Sequence, residues 1–228
     1  ADMDILNKEF NRYIKDCVPK MKDQEVYYVD KSNKDTLMQM QKLEEYDNFF
    51  YDLFYNSKIK DLAANALGEE ALPRAMEYFN KPPGKSKPTP PHQDGFYFNL
   101  DNDKAVTGWL ALEDVDDENG CIHYVKGSHS KEEYRPHGKS EILGFSQGVT
   151  DFGTEEDKIN TVKFEGKAGM FLLHHAKTIH FASSNKSSVR SRRAFGFVYH
   201  GVSAKHNIEK EKVDQKKLHD ELKEKKII

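Results

Sequence analysis

Apolar positions in the first third of the chain recur at helical spacing. Between Asp4 and Asp23 they fall at Ile5, Leu6, Phe10, Tyr13, Ile14 and Val18, which predicts a helix ending near Pro19. Glu25 to Val29 alternates over too few residues for anything but a short strand. Asp35 to Leu62 returns to helical spacing and is read as a second helical region, broken near Asn56 and Ser57. Leu37, Met40, Leu43 and Tyr46 form its buried stripe, thickened by Phe49, Phe50, Leu53 and Phe54. From Met76 onward the pattern shortens to alternating segments separated by Gly, Pro and Asn, which predicts antiparallel strands. These are 76–80, 92–100, 105–112, 121–126, 161–165, 169–173 and 192–199. Residues 114–120 form an acidic turn, and 129–158 are polar without periodicity, as expected of either a functional lid or a disordered loop. The charged tail 207–226 carries a thin stripe of Val213, Leu218 and Leu222 and is read as a surface helix. The fold class that follows is mainly β with a helical cap (α+β), built on a double-sheet jelly roll of the cupin-like kind. One domain is expected: a mostly helical cap over 1–75, a jelly-roll core over 76–203 and a charged C-terminal helix over 204–228.

Composition narrows the partners. The 228 residues carry a formal net charge of −3, which argues against a nucleic-acid binder working by bulk electrostatics. No apolar run reaches the ~20 residues of a membrane span, and no cleavable signal pattern opens the chain. Two distant cysteines, Cys17 and Cys121, form neither a disulfide scaffold nor a metal-ligand spacing. The expectation is a cytoplasmic protein in a reducing compartment, acting on a small molecule, with no nucleic-acid or membrane partner. Oligomeric state is not legible.

The chemistry centres on His92-Gln93-Asp94. The prolines at 82, 83, 88, 90 and 91 forbid a helix and force extended entry. Residues i and i+2 of a strand share a face, so an imidazole and a carboxylate here can grip one metal ion. Two His and one carboxylate on one face of an octahedron leave positions open, the arrangement of non-haem Fe(II) oxygenases. A second His is therefore required. His123, His129, His137, His206 and His219 suit turns or surface. His174 and His175 follow a buried strand, where either can be a core histidine. His180, beside the strand that carries Arg190-Ser-Arg-Arg193, fits best as third ligand, with His174 as the alternative. If 2-oxoglutarate is the co-substrate, its far carboxylate needs a buried cation, and the arginine fork suits a carboxylate. Arg192 shares a strand face with the small residues Ala194 and Gly196, so it is the inward candidate, with Arg190 and Arg193 as alternatives.

The chain resembles the phytanoyl-CoA dioxygenase family of Fe(II)/2-oxoglutarate oxygenases. The matching stretches are Asn80-Lys-Pro-Pro-Gly84, His92-Gln-Asp94 with Tyr97 and Phe98, Trp109 to Asp116, Asn119-Gly120, Gly127-Ser-His129, and His180 followed by Asn185 and Arg192-Arg-Ala194. They keep the family's order between residues 40 and 200. The resemblance implies a double-stranded β-helix, with iron held by His92, Asp94 and His180 as the catalytic centre. It implies a salt bridge from Arg192 to 2-oxoglutarate, a tryptophan beside the co-substrate at Trp109, and further co-substrate contacts at Asn80 and Ser183. It implies O₂ as oxidant, succinate and CO₂ as products, and hydroxylation of a small organic substrate. Related halogenases lack the carboxylate ligand, so Asp94 favours hydroxylation. Three features depart from the pattern. The family often has Ser two residues after the distal His, where this chain has Ala182. The His180-to-Arg192 segment is one residue longer than usual. The usual strand before the first helix is not evident. Two other readings stay open: a cupin-like metal enzyme that does not use 2-oxoglutarate, and a non-catalytic jelly-roll binding protein.

Overall fold

A computed structural model describes residues 3–84, 86–139 and 147–209. The first helix, α1 (Met3–Asp16), buries Leu6, Phe10 and Tyr13, and Pro19 lies in the 3-10 turn that follows it. Helices α2 (Asn48–Tyr55) and α3 (Lys58–Leu67) are separated at Asn56-Ser57. Asp47 and Ser57 cap their N-termini, and Gly68, at φ 71°, closes α3 in the left-handed region that glycine tolerates. The stretch between α1 and α2 differs from its helical spacing. It forms two strands, β1 (Val26–Tyr28) and β2 (Leu37–Gln41). Leu37 and Met40 are buried three residues apart, a spacing that a short strand with an irregular register satisfies as well as a helix does. Pairing with a distant strand, Gln39 opposite Phe79, decides the outcome.

The remaining elements run β3 (Ala71–Lys81), β4 (Thr89–His92), a one-turn helix α4 (Gly95–Phe98), β5 (Ala105–Ala111), β6 (Ile122–Val125), β7 (His137–Lys139) and β8 (Gln147–Val149). Helix α5 (Glu155–Asn160) and strands β9 (Thr161–Phe164), β10 (Phe171–His175), β11 (His180–Ala182) and β12 (Arg192–Gly201) complete the described chain. A six-stranded major sheet has the order β1-β2-β3-β12-β5-β10, and a four-stranded minor sheet has the order β4-β11-β6-β9, with β7 and β8 paired separately. All pairings are antiparallel. This is a jelly roll with a helical cap. The tail helix expected over 207–226 lies, from residue 210, outside the described residues, as do residues 140–146 of the expected lid. No described helix is long and apolar enough to cross a membrane.

Each face of the major sheet has its own core. Outside, the helices pack on it around Phe10, Phe50, Phe54 and Phe195. Phe195 meets the edge of Phe10 at 5.0 Å and of Phe50 at 5.6 Å. Each such ring contributes about 1.5–3 kcal/mol by burial and gains a little more from edge-to-face geometry. Inside, Trp109, Ala111 and Ala194 of the major sheet meet Ile122, Tyr124 and Phe164 of the minor one. The helical core fixes the outer face of β12, and so aims the alternate residues of β12 into the space between the sheets.

Candidate metal centre

His92 ends β4, held extended by Pro88, Pro90 and Pro91 as their chemistry requires. In the minor sheet it stands directly opposite His180 of β11. Asp94 is not on the strand that alternation suggested for 92–100. Its backbone is already helical, at φ −56° and ψ −40°, and it leads into α4. The proline run ends at 91, and nothing local keeps the chain extended after it. Gly95 packs where a Cβ would meet Ala176 at 3.0 Å and the Tyr134 hydroxyl more closely still, so the turn is fitted around a glycine. Despite this turn, the ligand atoms of His92, Asp94 and His180 lie within 4.8 Å of one another.

Hydrogen bonds determine the tautomers of the two imidazoles. His92 Nδ1 lies 2.8 Å from the Pro90 carbonyl, and His180 Nδ1 lies 3.0 Å from the Thr178 carbonyl. A carbonyl only accepts, so both rings carry their proton on Nδ1 and present an Nε2 lone pair. Those Nε2 atoms lie 3.4 and 3.5 Å from Asp94 Oδ1. Two imidazoles presenting Nε2 and a carboxylate oxygen, oriented through their far atoms, are the donor set a divalent transition metal takes. Burial, and then the neighbouring His92, push the His180 ring well below its ordinary value, which keeps the lone pair free.

The other oxygen of Asp94 is occupied. Thr107 Oγ1 donates to Oδ2 at 2.6 Å and His174 Nε2 at 3.1 Å. Because Nε2 of His174 donates, its Nδ1 is the acceptor, and it takes a hydrogen bond from the Tyr124 hydroxyl at 2.8 Å. Both nitrogens of His174 are thus committed, which separates it from His92 and His180. Burial raises the Asp94 carboxyl, but His180, His174 and His92 outweigh it and hold the group well below the usual carboxylate range. Thr107, Tyr124 and the bonding role of His174 were not legible in the sequence. They depend on the register that sets His174 opposite Thr107. Gln93, between the two metal-facing residues, is buried and bridges the loops around the centre. Its amide donates to the Lys177 carbonyl, and its carbonyl accepts from the Arg135 N–H. His175 accepts from the Lys177 N–H and takes no part in the centre.

One step along the interior wall, on the face that carries Thr107, stands Trp109. The Arg192 guanidinium carbon lies 5.5 Å from its ring centroid. Arg192 is 5% exposed, and its Nε has no hydrogen-bond partner. Burial lowers its pKa to about 10. Ala194 follows it on the same face with only a methyl group, and beyond it the space over Gly196 is taken by the Phe79 ring, 2.9 Å from where a Cβ would stand. The two alternative arginines are committed elsewhere: Arg190 pairs with Asp116 and Glu118, and Arg193 with Glu113. A buried guanidinium with an unbonded Nε and no acid partner fits the carboxylate of a dianionic co-substrate. Asn80 does not face this interior. The register sets it opposite Arg193, and Lys81 opposite Arg192. Asn80 turns outward, donates to the Leu37 carbonyl and lines a separate cavity of about 650 Å³. Ala182, not Ser183, continues the face of His180. Ser183 lies past the end of β11 with its carbonyl against Gly120. Cys121, which spacing alone left without metal-binding partners, lies with Asp117 and His123 apart from the centre, their ligand atoms within 4.8 Å of one another.

Comparison with known proteins gives these features a lineage. The model of the phytanoyl-CoA dioxygenase (PhyH) family matches residues 1–194. The probable alpha-ketoglutarate-dependent hypophosphite dioxygenase of Stutzerimonas stutzeri is 28% identical over 176 residues, covering 75% of this chain and 60% of that protein. The phytanoyl-CoA dioxygenase of Arabidopsis thaliana is 30% identical over 155 residues, covering 67% of this chain and 53% of that protein. The chain thus spans about half the length of the curated relatives it matches. Among solved structures, EctD from S. alaskensis with bound Fe superposes with a TM-score of 0.70 at 18% identity, covering 88% of this chain and 69% of that one. The alpha ketoglutarate dependent carbocyclase SnoK superposes at 0.67 with 21% identity, covering 90% and 78%. At these identities the structural likeness speaks for the fold.

Proposed function

The chain belongs to the phytanoyl-CoA dioxygenase family, and from that premise we propose that it is an Fe(II)- and 2-oxoglutarate-dependent dioxygenase that hydroxylates a small organic substrate. The observation that carries this reading is one interior surface holding both a two-His, one-carboxylate cluster and a buried arginine with no acid partner. Fe(II), with 2-oxoglutarate and O₂, supplies oxidative decarboxylation to succinate and CO₂, one oxygen atom entering succinate and the other a substrate C–H bond. His92 and His180 hold the metal through Nε2, their Nδ1 protons tied to backbone carbonyls. Asp94 offers Oδ1, while Thr107 and His174 keep Oδ2 from rotating into its place. Arg192 binds the far carboxylate of the co-substrate with paired N–H groups, and Trp109 closes one side of the guanidinium. Burial of this wall excludes water, which strengthens each of these contacts.

An anaerobic titration with Fe(II) and then 2-oxoglutarate, followed by visible absorption, tests the reading. A weak charge-transfer band that needs both additions is expected. It is lost in His180→Ala, and in Arg192→Met it needs at least about 100-fold more 2-oxoglutarate, the equivalent of a lost buried ion pair. Fe(II) binding without the band favours a cupin-like enzyme with another co-substrate. Absence of Fe(II) binding refutes the enzyme reading.

A further inference from the structure

Lys81 and Arg192 stand directly opposite each other on β3 and β12, so their side chains leave the sheet on the same face. Each is 5% exposed. Neither forms an ion pair with a carboxylate among the described residues. Lys81 Nζ donates to the Lys87 carbonyl at 2.7 Å, and Arg192 leaves Nε unbonded. The nearby acids are engaged elsewhere, Glu113 with Arg193, and Asp116 and Glu118 with Arg190. Two like charges in adjacent, desolvated positions repel, and an uncompensated buried charge costs several kcal/mol. The pair therefore cannot carry both charges comfortably by itself: Arg192 keeps its charge without a counter-ion, and an anion between the two is what would let Lys81 charge as well. Position 182 supplies a second reason. Ala182, where the family resemblance leads one to expect a serine, is buried on the His180 face and brings no hydroxyl to the interior.

We propose that Lys81 is a second anchor for the far carboxylate of 2-oxoglutarate, sharing it with Arg192 and replacing the hydroxyl that Ala182 lacks. This rests on the co-substrate reading above. It carries a consequence that an ordinary lysine does not. Burial, and then the Arg192 charge, bring the Lys81 ammonium down to about 6. Near pH 7.5 the amine is mostly neutral until an anion arrives beside it, and the anion then favours the charged form. Binding therefore takes up close to one proton. Affinity is greatest at low pH and weakens by up to about tenfold per pH unit as pH rises above the free-state value. The other groups facing this wall are Arg192 on β12, Glu77 on β3 and Asp94 beyond it. Burial and then the Asp94 charge raise Glu77 to about 7, so Glu77 is the competing source of such a proton.

Fe(II)-loaded protein titrated anaerobically with 2-oxoglutarate at pH 6.5, 7.5 and 8.5, with calorimetry in two buffers of different ionisation heat, separates these sources. The wild type should take up close to one proton at pH 7.5 and show the pH slope. Lys81→Met should still form the band, with a Kd about 10- to 100-fold higher at pH 6.5 and flat with pH. Lys81→Arg should recover most of the affinity without the slope, because arginine stays charged throughout. Glu77→Gln should keep the slope. Unchanged affinity and slope in Lys81→Met would show that Lys81 only tethers the following loop, and overturns the proposal. So does a slope that survives Lys81→Met and vanishes in Glu77→Gln. Absence of the band in the wild type removes the co-substrate reading, and this proposal with it.

Discussion

Replacing Thr107 with valine isolates the second oxygen of Asp94. The two side chains have nearly the same shape, so the change deletes a hydroxyl. In the native protein Asp94 Oδ2 accepts from Thr107 at 2.6 Å and from His174 at 3.1 Å, while Oδ1 faces both Nε2 atoms. A hydrogen bond to a buried charged acceptor is worth about 1.5–3 kcal/mol. The added methyl returns about 0.8 kcal/mol by burial, which leaves a net loss of about 1–2 kcal/mol. For a chain of this size that lowers Tm by about 2–8 °C. The loss depends on a charged carboxylate. The folded pKa of Asp94 is depressed, so the bond contributes fully above the ordinary carboxylate value near 3.9 and fades only as pH falls through the folded value. Thermal scans of metal-free protein at pH 7 and pH 5 should therefore give the same difference. A metal readout accompanies it. With one restraint gone, the carboxylate can rotate and present either oxygen. Loss of such a contact behind a metal ligand costs about 10–100-fold in metal affinity, measurable by EPR titration with Mn(II). Thr107→Ser should restore both values. A valine variant with native Tm and native Mn(II) affinity would show that the 2.6 Å bond does no work on Asp94, and would refute the restraint argued above.

Three further substitutions probe the scaffold around the centre. Asp157, in the first turn of α5, completes a capping box with Thr154, accepts from the Gly153 and Thr154 N–H groups and pairs with Arg135 at 2.9 Å. Against burial, these contacts lower its pKa to about 2. Asp157→Ala should cost about 2–4 kcal/mol in urea unfolding at pH 7. The contribution is present above about 3.9 and is lost as pH falls through the folded value, so the gap to wild type should close in strong acid and nowhere else. Gly120 has φ 89°, and a Cβ there would lie 2.6 Å from the Ser183 carbonyl and 3.2 Å from Lys81 Cδ. Gly120→Ala should cost at least about 2 kcal/mol in the same assay and should displace Lys81, raising the Kd for 2-oxoglutarate. Phe195→Ala empties the junction of Phe10, Phe50 and Tyr78 and should cost about 3–5 kcal/mol in urea unfolding, with native metal affinity in whatever fraction stays folded. A cost below 1 kcal/mol would mean the helices can close over the gap.

What could be read from the chain separates cleanly from what could not, and the dividing line is register. Arg192 turns inward and Arg193 outward because strand alternation is local, and small residues on one face against aromatic residues on the other mark the sides. The prolines before His92 act on their own backbone, so extended entry was legible too. Everything that depends on which residue stands opposite which was not. Leu37 and Met40 fit a helix until β2 pairs with β3. Asn80 and Lys81 are neighbours in one motif, and only the pairing with Arg193 and Arg192 decides which of them faces the interior. His174 and His175 are adjacent and identical in type. Pairing with Thr107 sends one of them to Asp94, and the other is spent on the Lys177 N–H. The same reasoning explains why the error over Asp94 did no harm to the cluster. A strand would have aimed His92 and Asp94 by their spacing. The observed turn aims Asp94 by its two partners, Thr107 and His174, which come from the opposite sheet. The carboxylate is therefore positioned by the junction between the sheets. Perturbing that junction at β5 or β10 should loosen the metal as surely as changing a ligand, although neither strand contributes one.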